Sequence, residues 1–212
     1  NEEFASLSDD INSTVATLKN YIDEAAARFD KDLEIAKRIQ HSALPSVFPP
    51  YPNRKDFSIF ASMNAAKEVG GDFYDFYKLN DTTVAFLAAD VSGKGIPAAM
   101  FMMTAKTIIK DLAESGMAVN DIFTRANEKL CENNEADMFV TAWMGILDLQ
   151  TGNMKYANAG HNPPLLKHAD GSFEYLRSRA GFVLAGIEGF NYRINELQLN
   201  AGDRLFLYTD GV

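Results

Sequence analysis

The sequence predicts an α+β sandwich of mostly antiparallel sheets carried behind one long helix. Three observations predict it. The first 44 residues contain neither proline nor glycine. Beyond them, apolar segments of strand length are joined by short turn-forming stretches, the signature of hairpins. Two helical segments sit together in the middle of that run, which is the order of an α+β domain and not of a βαβ chain.

In residues 1–44, apolar side chains recur at Phe4, Leu7, Ile11, Val15, Leu18, Ile22, Ala25, Phe29, Leu33 and Ala36. Steps of three and four make the seam of a coiled coil. The successive four-residue steps from Ala25 to Phe29 to Leu33 form a stutter that locally unwinds a left-handed supercoil. So narrow a stripe on a helix of ~60 Å needs a partner helix, and a parallel homodimer through residues 1–44 is expected. Pro45, Pro49, Pro50 and Pro52 cannot continue the helix, which divides the chain into 1–44 and 45–212. A strand is expected at 57–61, followed by a hairpin of 73–79 and 83–89 turning at Asn80-Asp81. Pro97 opens a helix that Gly116 can end, and 119–132 reads as a second. Met100, Met102, Met103, Phe101, Ile108 and Ile109 are expected to form the buried face of the first, and Trp143 is read as core. Residues 139–147 and 154–158 pair around Thr151-Gly152, and 192–199 and 205–208 supply later strands.

Composition narrows the function. The chain has 20 basic and 29 acidic residues and a net charge of -9, which argues against a nucleic-acid-binding surface. Its single cysteine, Cys131, excludes an internal disulfide, and three scattered histidines exclude a Cys/His zinc cluster. A reducing compartment follows. No stretch reaches the ~18–20 apolar residues of a membrane span, and no signal-peptide pattern opens the sequence.

The chemistry is carried by three acids. Two apolar runs, 84–89 and 205–208, both read as buried central strands, and each leads into an aspartate, Asp90 or Asp210. A third, Asp72, follows Gly70-Gly71, where glycine lets the backbone bend closely. Any one alone reads as a turn-capping aspartate; three in similar settings point to a shared cation site. All-oxygen ligation suits Mg2+ or Mn2+, and two such ions roughly 3.5–4 Å apart activate a bridging water and polarise a phosphoryl group.

Five segments, Glu68-Val69-Gly70-Gly71-Asp72-Phe73-Tyr74-Asp75, Asp90-Val91-Ser92-Gly93-Lys94-Gly95, Phe139-Val140-Thr141, Ala157-Asn158-Ala159-Gly160-His161-Asn162-Pro163-Pro164 and Tyr208-Thr209-Asp210-Gly211, together resemble the sporulation-stage-II-E/RsbU-like branch of the metal-dependent (PPM-type) serine/threonine protein phosphatases. The resemblance implies an αββα sandwich with two Mn2+ or Mg2+ ions between its sheets. It implies hydrolysis of phosphoserine or phosphothreonine on a partner protein, typically an anti-sigma-factor antagonist, by attack of metal-bound water. Asp72, Asp90 and Asp210 carry over as metal ligands, with Asp90 bridging and Val91 offering its carbonyl. Where eukaryotic relatives place a general-acid histidine, this chain has Ser92. The resemblance also implies a further ligand, a helix and a closing strand after Val212, so the domain is expected to be incomplete at its C-terminus. Glu3-Phe4, Leu7, Asn12, Leu18 and Tyr21-Ile22 resemble the second helix of a HAMP module. That implies an upstream membrane sensor, inner-membrane anchoring of the full-length protein, and a fragment on the cytoplasmic face.

Other residues have plainer readings. Lys67 could meet the substrate phosphate as a point charge or be a solvated lysine. Glu68 and Gly211 are read as supports behind the ligands. His161 is read as a loop residue in preference to a catalytic one. Lys94 lacks the spacing of a phosphate-binding loop. Two alternatives compete with the phosphatase: a catalytically incomplete signalling module, and a diguanylate cyclase suggested by Gly70-Gly71-Asp72-Phe73.

Overall fold

The computed structural model describes residues 2–64, 68–132 and 134–211. It divides into two compact units, Asn1–Ile39 and Gln40–Val212. Helix α1, Glu2–Ala43, makes up the first unit and runs into the start of the second. Its seam is bare, with Phe4, Leu7, Ile11, Val15, Leu18, Ile22 and Phe29 each between 44% and 72% exposed.

The second unit orders its elements as β1 (Phe73–Lys78), β2 (Thr83–Val91), α2 (Ile96–Glu114), α3 (Val119–Cys131), β3 (Val140–Asp148), β4 (Asn153–Ala159), β5 (Leu165–Lys167), β6 (Phe173–Tyr175), β7 (Asn195–Gln198) and β8 (Arg204–Phe206). One antiparallel sheet runs β1-β2-β3-β4-β7 and a smaller one β6-β5-β8. Gly95 at φ 74 precedes α2, Pro97 lies in its first turn, and Gly116 at φ 80 follows it. These are the start and stop signals of the sequence acting as expected.

Side chains alternate across the large sheet. Ala85, Leu87, Ala89 and Val91 of β2 join Met102, Ile109, Ile122 and Phe123 in the core beneath α2 and α3. Phe86 of β2, Trp143 of β3 and Tyr156 of β4 point the other way, into a second cluster with Leu205 and Leu207 between the sheets. Asp90 is four residues from Phe86 and therefore shares its inter-sheet side. Thr141, its partner in register, is two residues from Trp143 and does the same.

A charged pair lies inside. Lys106 Nζ on α2 is 2.6 Å from Asp75 Oδ2 on β1, their side chains 12% and 5% exposed. The other carboxylate oxygen accepts the Phe76 N–H at 2.9 Å. A pair this enclosed is strongly dependent on both partners being present.

Three expectations are corrected, and two short strands are added. Residues 57–61 alternate in exposure but form no ladder. Aromatic contacts hold this segment instead: Phe48 packs on Phe60 and Phe76, and Tyr51 on Phe57 and Phe76. The run 205–208 is not a buried central strand, because β8 pairs only with β5 and Phe206 is 53% exposed. Met100 is 67% exposed, on the outer side of α2 from buried Met102 and Ile109. The short strands β5 and β6 were absent from the sequence reading, since three residues are too few to show a period.

Replacing Lys106 with Ala is expected to lower unfolding stability by about 3–5 kcal/mol, because it strands the Asp75 carboxylate. The double replacement Asp75→Asn, Lys106→Met is expected to recover much of the loss. Urea denaturation of both variants checks this, and equal destabilisation by the two would reject it.

Candidate metal centre

The three acids arrive on different elements. Asp72 immediately precedes β1, Asp90 is the penultimate residue of β2, and Asp210 lies in the turn beyond β8. The first two are brought together by a backbone contact. A β-carbon at position 71 would lie 2.6 Å from the Val91 carbonyl oxygen and 3.0 Å from its Cβ. Only glycine lets the chain before β1 pass so close to the end of β2, and that passage sets Asp72 beside Asp90. The need is therefore steric, since Gly71 is not among the glycines with positive φ.

The turn after β8 closes on the same point. Thr209 Oγ1 donates to Asp72 Oδ2 at 3.1 Å, and a β-carbon at Gly211 would lie 3.7 Å from that oxygen. On the other flank, Gln40 grips Gly70, with Nε2 donating to its carbonyl at 2.6 Å and Oε1 accepting its N–H at 3.2 Å. The Gly70-Gly71-Asp72 segment is thus held from both sides. It enters a sheet and is not the tip of a hairpin, so the likeness to a cyclase hairpin does not carry over.

The electrostatics follow from this crowding. Asp90 is pushed up from 3.8 to about 7, chiefly by burial, then by its close contact with the Asp72 carboxyl and by the Asp210 charge; a backbone hydrogen bond from Val91 offsets this in part. Burial likewise pushes the His161 imidazole down from 6.5 to about 4, opposed by the Tyr208 carbonyl and the charges of Asp72 and Asp210. Carboxylates and a backbone carbonyl are the donors a hard divalent cation takes, and Asp72, Asp90 and the Val91 carbonyl are of that kind. Asp210 is exposed and acts on Asp90 through its charge. Among the described residues no three His, Cys, Asp or Glu side chains form a group ready to hold a metal ion.

The remaining candidates separate clearly. Glu68 is exposed. Lys67 lies outside the described residues. Ser92 is tied into the sheet, its N–H donating to the Phe139 carbonyl at 2.8 Å and its Oγ accepting the Phe139 N–H at 2.9 Å. Sequence reasoning assigned no role to Thr209, whose hydroxyl links the Asp210 turn to Asp72; its place directly before Asp210 was the only signal available.

The shift at Asp90 has a definite sign. Its folded pKa lies above its unfolded one, so the metal-free fold loses stability as pH rises from about 4 to about 7. Asp90→Asn removes that loss. Without divalent ions, the variant is expected to melt increasingly above the parent as pH goes from 4.5 to 7.5; a constant difference would reject the shift.

The stage II sporulation protein E family matches this chain over residues 80–212. Protein IcfG of Synechocystis sp. is 30% identical over 92% of the chain and 35% of its own length. Phosphoserine phosphatase RsbU of Bacillus subtilis is 31% identical over 85% of the chain and 53% of its own length. The chain thus spans a third to a half of these curated relatives. Among solved structures, the SiaA-PP2C domain of Pseudomonas aeruginosa shares the fold, with a TM-score of 0.75 and 21% identity over 88% of this chain and 74% of that one. With its Asp72–Asp90 pairing at the mouth of two packed sheets, the chain belongs to the stage II sporulation protein E family of PP2C-type domains.

Proposed function

We propose that the chain is the catalytic part of a metal-dependent protein phosphatase acting on phosphoserine or phosphothreonine. The observation that carries this is the forced proximity of Asp72 and Asp90. Two half-buried carboxylates pressed together are unfavourable unless a proton or a cation sits between them, and divalent ions are the cations such oxygens select. Asp72, Asp90, Asp210 and the Val91 carbonyl are the proposed ligands of two such ions, Asp210 reaching them from the turn after β8. Bound there, the ions would supply an activated water and neutralise the phosphate. The chain's own contribution is to hold the carboxylates in place through Gly71, Thr209 and Gln40. Lys67 remains a proposed phosphate contact. The substrate proposed, from the family resemblance, is a phosphorylated anti-sigma-factor antagonist; the name of the relative RsbU, a phosphoserine phosphatase, supports phosphoserine as the group removed.

A second reading, binding without turnover, is favoured by one observation: Asp210 does not join the other two acids in a ready three-ligand group. Assay with Mn2+ separates the two. The phosphatase reading expects hydrolysis of a phosphoserine protein that chelator abolishes and that Asp90→Asn lowers by roughly 100-fold, equivalent to about 2.7 kcal/mol. Mn2+ binding without hydrolysis would favour the second reading. Undiminished turnover in chelator would reject both.

Regulation is proposed to run through α1. Its exposed apolar seam supports pairing with a second copy, and the HAMP resemblance supports an upstream membrane sensor. No helix among the described residues is long and apolar enough to cross a membrane. Charged residues at Ile11, Leu18 and Ile22 are expected to halve the mass in sedimentation at micromolar concentration; an unchanged mass would reject pairing through the seam.

A further inference from the structure

His161 is buried, 6% exposed, and the chemistry above makes no use of it. Its backbone is clamped: its N–H donates to Asn158 Oδ1 at 2.8 Å, and Asn158 Nδ2 donates to its carbonyl at 3.1 Å. Gly160, at φ 71, makes the turn out of β4, bridging to Ala142 of β3 as it does so. The ring is therefore aimed by its own loop.

Its two nitrogens have different surroundings. Nδ1 lies 2.9 Å from Thr141 Oγ1, and Thr141 sits opposite Asp90 in the β2–β3 register. Nε2 is enclosed and completes no hydrogen bond, although the Tyr208 carbonyl faces the ring closely enough to favour its charged form. A buried N–H left without a partner costs about 1–3 kcal/mol. A neutral imidazole that accepts from the Thr141 hydroxyl at Nδ1 carries its proton on Nε2. The backbone acceptor that acts on the ring is the Tyr208 carbonyl, two residues before Asp210.

We propose that His161 is a positioning residue for Asp210. Thr141 fixes the ring as the Nε2–H tautomer, and Nε2–H donates to the Tyr208 carbonyl. This pins the Thr209-Asp210-Gly211 turn against Asp72 and, through Thr141, to the strand that carries Asp90. The connection joins the two sheets at their shared end by a polar link, where β8 itself pairs only with β5. His161 touches no reacting atom in this role; it sets where Asp210 stands. The proposal rests on the reading of Asp210 as part of the metal centre.

The test uses the 212-residue chain. Long-range 1H–15N correlation of the metal-free protein is expected to show His161 as the Nε2–H tautomer between pH 5.5 and 8. His161→Gln retains a donor near the Nε2 position and His161→Leu does not. Amide resonances of Thr209, Asp210 and Gly211 are expected to move in the Leu variant and stay in the Gln variant. Mn2+ affinity by calorimetry is expected to fall roughly 10-fold or more in the Leu variant and to hold within about threefold in the Gln variant. An Nδ1–H tautomer, or identical behaviour of the two variants, overturns the proposal. If the parent chain binds no Mn2+, the metal reading fails instead, and the tautomer and the 209–211 resonances still decide the role of His161.

Discussion

Everything at the mouth of the two sheets is arranged around the mutual repulsion of Asp72 and Asp90. Separated in water the two carboxylates would repel weakly; at the end of β2, burial first and then contact with the Asp72 carboxyl push Asp90 up to about 7. A fold reaches such an arrangement only if stronger contacts enforce it. Here the enforcing contacts are backbone ones: the six-residue β1–β2 register, the Gly71 passage against Val91, and the Gln40 clamp on Gly70. The energy of the sheet is used to hold an electrostatically unfavourable pair, which is how strained or charged sites persist in stable proteins.

The surrounding fold supplies rigidity from two different cores. The helical side is a broad apolar layer from Leu44 to Tyr192 with an internal ion pair, Lys106–Asp75, which cross-links α2 to β1. The inter-sheet side is smaller and aromatic, with Trp143 stacked on Tyr156 at 5.2 Å and tilted against Phe86. The acids sit at the open end of this smaller core. The turn after β8 is joined to Asp72 through Thr209, and the turn out of β4 is clamped by Asn158 on the His161 backbone, so neither is a free loop.

The sequence made the long helix, both helices of the domain and the two principal hairpins legible, because each carried a period and a terminal signal: no breakers before Leu44, Pro97 and Gly116 around α2, Asn80-Asp81 and Thr151-Gly152 at the turns. Asp72 and Asp90 were legible as partners from their settings. What stayed hidden was whatever depends on tertiary contact. The extended segment 57–61 alternates like a strand, yet aromatic rings hold it and no ladder forms. The apolar run ending at Tyr208 looked central because composition cannot tell an edge strand from an inner one. The steric purpose of Gly71 and the links from Thr209 and Thr141 exist only once distant strands have met.

The outer face of the small sheet has a bearing on how the molecule behaves in concentrated solution. Phe173, Tyr175 and Phe206 are each more than half exposed, with Lys167 lying over the Phe173 ring and Phe206 stacked with Tyr208. The strands on either side of β5 have no ladder on their far edges among the described residues. Aromatic surface beside open strand edges is adhesive. What opposes that adhesion between like molecules is the net charge of -9, and salt shortens the range of that repulsion. The colloidal stability of the chain is thus set by a contest between one sheet face and its overall charge, and ionic strength tips the balance.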